Sequence, residues 1–193
     1  MSDNRTPGEQ PEVDLDQMDD LDEPVPPGLP DPPHPINWNA LTADDAEIEW
    51  FDLNEWVNWL RRCYGLPAAV IPPMWHRHWE LVWELSALHT HWLGAYDPEQ
   101  HGSAPIAWHA DFAAARERLR EWVSTSGARL DRDRPTRVTN WPGEEPVEHG
   151  TETPITDRDT DFVEFVTADV ARRRLRDDAA AGGVDPTTGE VRG

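Results

Sequence analysis

The stretch PPMWHRHWELVWELSALHTHW, residues 72–92, sets four histidines among four tryptophans. Imidazoles this close together suggest a metal centre. On a helix, a zinc pair uses positions i and i+4, which share a face. His76 and His78 are two residues apart, as are His89 and His91, so on a helix each pair points about 160° apart. His78 and His89 share a face, but eleven residues separate them, roughly 16 Å along the axis. No single ion bridges that distance. Any ligand set would have to draw on His101 or His109 with a carboxylate, so no metal and no cofactor is expected. His78 and His89 instead fall within an apolar arc, where a neutral hydrogen bond satisfies a half-buried ring. His76 and His91 fall on the polar side, and His76 is a candidate partner contact.

The single cysteine, Cys63, could act as a nucleophile only beside a base. It falls on the apolar face of its helix, so a buried structural thiol is the simpler expectation. The chain has no G-x-S-x-G, no phosphate-binding loop and no dinucleotide fingerprint. The arginines of DRDRPTR could hold a phosphate but have carboxylates beside them. The expected protein is not an enzyme.

Three helices must carry these residues, at about 44–64, 75–96 and 105–126. In the first, Ile48, Leu53, Trp56, Trp59, Leu60, Cys63 and Tyr64 share a broad face. It starts near Thr42 or at the capping pair Asp52 and Glu55, and ends at Gly65 and Pro67. In the second, Leu81, Val82, Leu85, Leu88, Trp92, Leu93 and Tyr96, with Trp75 and Trp79, fill half the circumference, which suits a central helix. In the third, Trp108, Phe112, Ala115, Leu119 and Trp122 form a narrow stripe between Pro105 and Gly127. The short connections predict a mainly α fold, an antiparallel three-helix bundle, with Trp141 tucked onto it and TRVTNW able to pair briefly as a strand.

All 11 tryptophans lie between residues 38 and 141, which marks the folded domain. Residues 1–37 hold nine of the 19 prolines, and ten acids against one arginine. That composition predicts a disordered acidic tail. Residues 142–193 predict a second acidic, flexible tail with one short amphipathic helix at about 160–176. Phe162, Val163, Val166 and Val170 form its apolar arc, suited to folding back on the bundle or to docking on another protein.

The formal net charge of −21 comes from 38 acids and 17 arginines, with no lysine. It argues against direct nucleic-acid binding and against an anionic membrane surface. The lone cysteine and the polar amino-terminal stretch predict a cytoplasmic protein.

WFDLNEWVNWLRRCYGLP, IPPMWHRHWELVWELSALHTHWLGAY and APIAWHADFAAARERLREWV, in that order, resemble an actinobacterial Trp-rich helical family of unknown function found on plasmids, integrative conjugative elements and phages. The resemblance rests on W-x-x-H followed by a leucine-rich helix (Trp75, His78, Leu81, Leu85) and on a second pair, Trp108 and His109. It covers about residues 50–125. Relatives carry a cysteine near the first tryptophan, where this chain reads PPM (residues 72–74), which weakens any inherited thiol or metal role. The resemblance implies a mobile-element setting and no activity.

The function expected from sequence is a non-enzymatic helical adaptor with an unidentified protein partner, without nucleic acid or membrane. Trp50 and Trp83 lie at or beyond the core faces and are its candidate exposed anchors, together with His76, Phe162, Val166 and Val170. The competing expectations are an acidic DNA mimic that inhibits a DNA-binding protein, and a metal-dependent enzyme using the clustered histidines.

Overall fold

Thr42 accepts a hydrogen bond from the Asp45 amide at 3.2 Å and caps the first helix, α1, Ala43–Cys63. The alternative start at Asp52 is not used. Asp44 and Asp45 in the first turn and Arg61 and Arg62 in the last complement the helix dipole. The helix stops at Gly65, in the left-handed region at φ +59°, where the Leu66 amide reaches back to the Arg61 carbonyl at 3.0 Å. The computed structural model describes residues 33–145 and 150–182. Of the expected disordered segment, residues 1–37, the first 32 lie outside the described residues, as does the carboxyl-terminal end beyond 182. Within the described part, Ile36 packs against the core and Asn37 accepts from the Asn39 amide.

The fold is mainly helical. After α1 come a 3-10 turn at Trp75–Arg77, then α2 (Trp79–Ala95), α3 (Ala104–Ser126) and α4 (Arg158–Gly182). A two-residue antiparallel bridge pairs β1 (Arg132–Asp133) with β2 (Thr153–Pro154). Helix α3 ends at Gly127, φ +78°, whose amide reaches the Val123 carbonyl at 2.9 Å. No helix among the described residues is long and apolar enough to cross a membrane.

Side-chain pairings fix the helix directions. His91 meets Asp111 and Glu84 meets Arg118, so α2 and α3 are antiparallel. Asp177 meets the amide of Ala43, and Asp169 meets Trp50, so α4 runs antiparallel to α1. Trp50 lies against Trp79, and Trp59 against Trp92, so α1 and α2 run in the same direction. This corrects the expected antiparallel three-helix bundle. The connection between α1 and α2 is no short turn. Residues 64–78 return along the domain, burying Leu66, Val70, Ile71, Met74 and Trp75 on the way. Extended backbone at about 3.3 Å per residue easily spans a 17-residue helix that rises 1.5 Å per residue.

The second correction is α4, which belongs to the core. It runs 25 residues, well beyond the expected 160–176, and buries Phe162, Val166 and Val170 against α1. The core therefore does not stop at residue 141. Helix α1 buries Ala43, Ala46, Trp50, Leu53, Val57 and Leu60 at alternating spacings of three and four, a stripe that leaves Ile48 outside. Trp50 is 0% exposed, not an exposed anchor, because α4 covers the flank of α1 that a three-helix reading leaves open. Its ring lies among Trp38, Trp75, Trp79, Phe162 and Phe165.

Other placements also differ from expectation. Cys63 is exposed, since the buried stripe passes through Leu60 and ends short of it. Trp122 is exposed because α3 buries Val123 and Ser126 in its place. Trp141 is exposed beyond the bridge and is not tucked onto the bundle.

Candidate functional site

The histidine cluster divides into separate buried clips. The 3-10 turn ends at His78, which is extended, so residues 75–77 do not share the helical phase of α2. This is why His76, expected on the polar side, is fully buried. Its Nε2 donates to Asp161 Oδ1 at 2.8 Å, and Arg77 binds the same carboxylate from outside. Burial drives its pKa down to about 4, with Arg158 acting in the same direction and Asp161 opposing. His76 is therefore a neutral ring that fastens the 3-10 turn to the first turn of α4.

His78 faces the other way. Its Nε2 lies 2.8 Å from Asp133 Oδ1, and its Nδ1 lies 3.0 Å from Thr136 Oγ1. Threonine, histidine and aspartate in a row have the order of a catalytic triad, but the charge state is wrong for one. Burial alone would lower the pKa, yet the hydrogen bonds and charges of Asp133 and Glu80 outweigh it and raise it to about 9. The ring is an imidazolium at neutral pH and cannot take a proton. Thr136 donates its own proton to Glu80 at 2.6 Å. The cluster thus fastens the 133–136 arm to the start of α2.

His89 is half-buried and stacks on Trp56 at 4.9 Å; burial lowers its pKa to about 4. His91 pairs with Asp111 at the surface. His109 donates from Nδ1 to the Pro105 carbonyl and accepts the Tyr64 hydroxyl at Nε2. Among the described residues no group of three or more His, Cys, Asp or Glu side chains gathers as a metal site.

Half-exposed aromatic side chains gather elsewhere, on the outer side of the second half of α1. Trp59 is 40% exposed and packs at 5.1 Å against Trp92, which in turn meets Tyr96, 46% exposed, at 5.5 Å. Below them Trp56 and His89 form the stacked base of the strip. Beside this strip, Trp59 and Arg62 line a shallow concavity with Asn58. Asn58 and Arg62 also line a groove of about 610 Å³ whose apolar residues include Val57, Leu66, Ile71 and Trp75. Aromatic strip and groove form one continuous surface across α1.

Of the residues singled out from sequence, Trp83 is 38% exposed but makes no ring contact among the described residues. Trp50, His76, Phe162, Val166 and Val170 are core residues. The structure gathers none of the six with the Trp59–Tyr96 strip. Sequence reasoning placed Trp59, Trp92 and Tyr96 inside. The warning sign was the width of the apolar faces, broader than two neighbouring helices can cover. Comparison with protein-family models, curated proteins and solved structures returns no match.

Proposed function

We propose that the protein is a non-enzymatic helical adaptor that binds another protein through the Trp59–Trp92–Tyr96 strip on α1 and α2. The observation that carries this reading is a contiguous run of large aromatics left half-exposed in a domain that buries Trp38, Trp50, Trp75 and Trp108 completely. Tryptophan and tyrosine dominate binding hot spots because each buries a large apolar area at low cost in side-chain entropy. A partner that covers two such rings gains a few kcal/mol. The resemblance noted in the sequence adds the setting of a cytoplasmic accessory to a mobile genetic element. The histidine clips favour a structural role over metal-dependent catalysis. The DNA-mimic reading is weakened because Glu84, Asp161, Asp169 and Asp177 are engaged by arginines.

The test compares the intact protein with a Trp59→Ala/Tyr96→Ala variant as bait in host lysate, read by quantitative mass spectrometry. A specific partner is expected to fall by about tenfold or more on the variant bait, with its thermal unfolding little changed because both rings are half-exposed. Equal recovery of every specific protein on both baits contradicts the reading.

A further inference from the structure

The groove beside the aromatic strip says what kind of segment the partner presents, an inference that rests on the adaptor reading. We propose that it binds an acidic peptide segment carrying apolar side chains of the leucine, isoleucine or proline class. Two independent features point there.

The first is the apolar character of the groove. Pro67, Ala68 and Leu130 are its accessible apolar residues, laid over a floor of Val57, Leu66, Ile71, Pro72 and Trp75 that is itself buried. Leu130 is 73% exposed and also lines the adjoining cleft, with Ala68 common to both. A leucine so exposed between two concavities gains from an apolar ligand laid across it.

The second is charge. Most arginines elsewhere pair with carboxylates, among them Arg77 with Asp161, Arg118 with Glu84, Arg132 with Glu152, Arg173 with Asp169 and Arg174 with Asp44; Arg116 and Arg137 do not. Arg61 and Arg62 line the groove, Arg129 lines the adjoining cleft, and none has an ion pair among the described residues. Their position in the last turn of α1 gives Arg61 and Arg62 a role at the helix dipole. That role leaves their N–H donors free for a carboxylate. Arg158 also lines the groove, held by the Pro73 carbonyl and Asn54. It pairs at 3.0 Å with Asp159 of the same lining, so the pair adds no net charge and Arg61 and Arg62 carry the groove's positive field. In a chain of net charge −21, three of the five arginines without an ion pair among the described residues, Arg61, Arg62 and Arg129, gather at the groove and its adjoining cleft. With a Debye length of about 8 Å at physiological ionic strength, an acidic ligand responds mainly to this local field.

A nucleic acid fits less well. It needs a longer basic track and exposed rings for base stacking, and Trp75 is buried beneath the groove.

The test uses a random phage-displayed peptide library of about 12 residues, panned on the intact protein. Enriched peptides are then synthesised and titrated by fluorescence anisotropy. Peptides that combine aspartate or glutamate with leucine, isoleucine or proline are expected. Their Kd should weaken by about tenfold or more on Arg61→Glu/Arg62→Glu. Arg61→Gln/Arg62→Gln, which introduces no repulsion, should give a smaller loss in the same direction, and circular dichroism verifies the helix in both. Enriched peptides without acids, or binding that the arginine variants do not change, overturn the proposal. Binding lost on Trp59→Ala/Tyr96→Ala but kept on the arginine variants leaves the adaptor reading standing and removes this one. No enrichment at all removes both. Oligothymidylate that binds in place of peptides, and is lost on the arginine variants, reassigns the groove to nucleic acid.

Discussion

Replacing Asp169 by alanine is expected to destabilise the protein by about 3–5 kcal/mol, the usual loss when one partner of a buried ion pair is removed. Asp169 is almost fully buried and accepts from the Trp50 indole at 3.0 Å and from Arg173 Nε at 2.7 Å. Arg172 binds its other oxygen. Arg173, itself buried, donates onward to the carbonyls of Trp38 and Leu41. Without the carboxylate, an uncompensated guanidinium and an unsatisfied indole N–H stay in the core. The network also joins α4 to the segment that leads into α1, where Asp177 accepts from the first helical amide at 2.9 Å. Asp169→Asn keeps an acceptor for Trp50 while losing the charge, so it should fall between wild type and alanine. Urea unfolding reads both variants. A loss below about 1 kcal/mol for the alanine variant would mean that α4 contributes little to the core.

Stability should pass through a maximum near pH 6.5 and fall on both sides, because the buried histidines are shifted in opposite directions. His78 has its folded pKa raised to about 9 from 6.5. Its contribution is complete below pH 6.5 and is lost as pH rises towards 9, a loss of about 3 kcal/mol. His76 and His89 have theirs lowered to about 4. They contribute fully above pH 6.5, and each loses about 3 kcal/mol as pH falls towards 4, where the unfolded chain takes up protons that the folded one refuses. The carboxyl of Glu80, held below its ordinary range against burial by His78 and Thr136, steepens the acid side. Chemical unfolding at a series of pH values gives the profile. His78→Gln should flatten the alkaline side and, by releasing part of the hold on Glu80, soften the acid side slightly. A wild-type profile already flat between pH 6.5 and 9 would contradict the charged His78 clip.

Local signals in the sequence were sound where one helix decides them. Thr42, Gly65 and Gly127 mark helix ends through their own backbone chemistry, and the stripe from Trp108 to Leu119 is buried as its spacing predicts. The errors come from tertiary partners. Trp50 and Ile48 exchange places because α4 covers a flank of α1 that three helices would leave open. His76 leaves the polar side because the chain breaks helical phase at His78, a break that periodicity across 75–96 cannot register. The shared direction of α1 and α2 follows from residues 64–78 being buried as a return segment. Their prolines announce a stop but not the distance the chain then travels. The aromatic strip was hidden for a related reason. Trp59 and Tyr96 sit on apolar faces, and only the neighbours decide which part of a wide face is covered.

The most direct test of the adaptor surface is site-specific photo-cross-linking of the intact protein in host lysate. A benzophenone amino acid replaces Trp59 in one variant and Trp83 in another. Both positions are exposed on helices, but only Trp59 belongs to the strip. The account predicts a discrete adduct with a protein partner from position 59 and none from position 83. An adduct from position 83 with none from position 59 would contradict it and move recognition to the opposite choice of tryptophan.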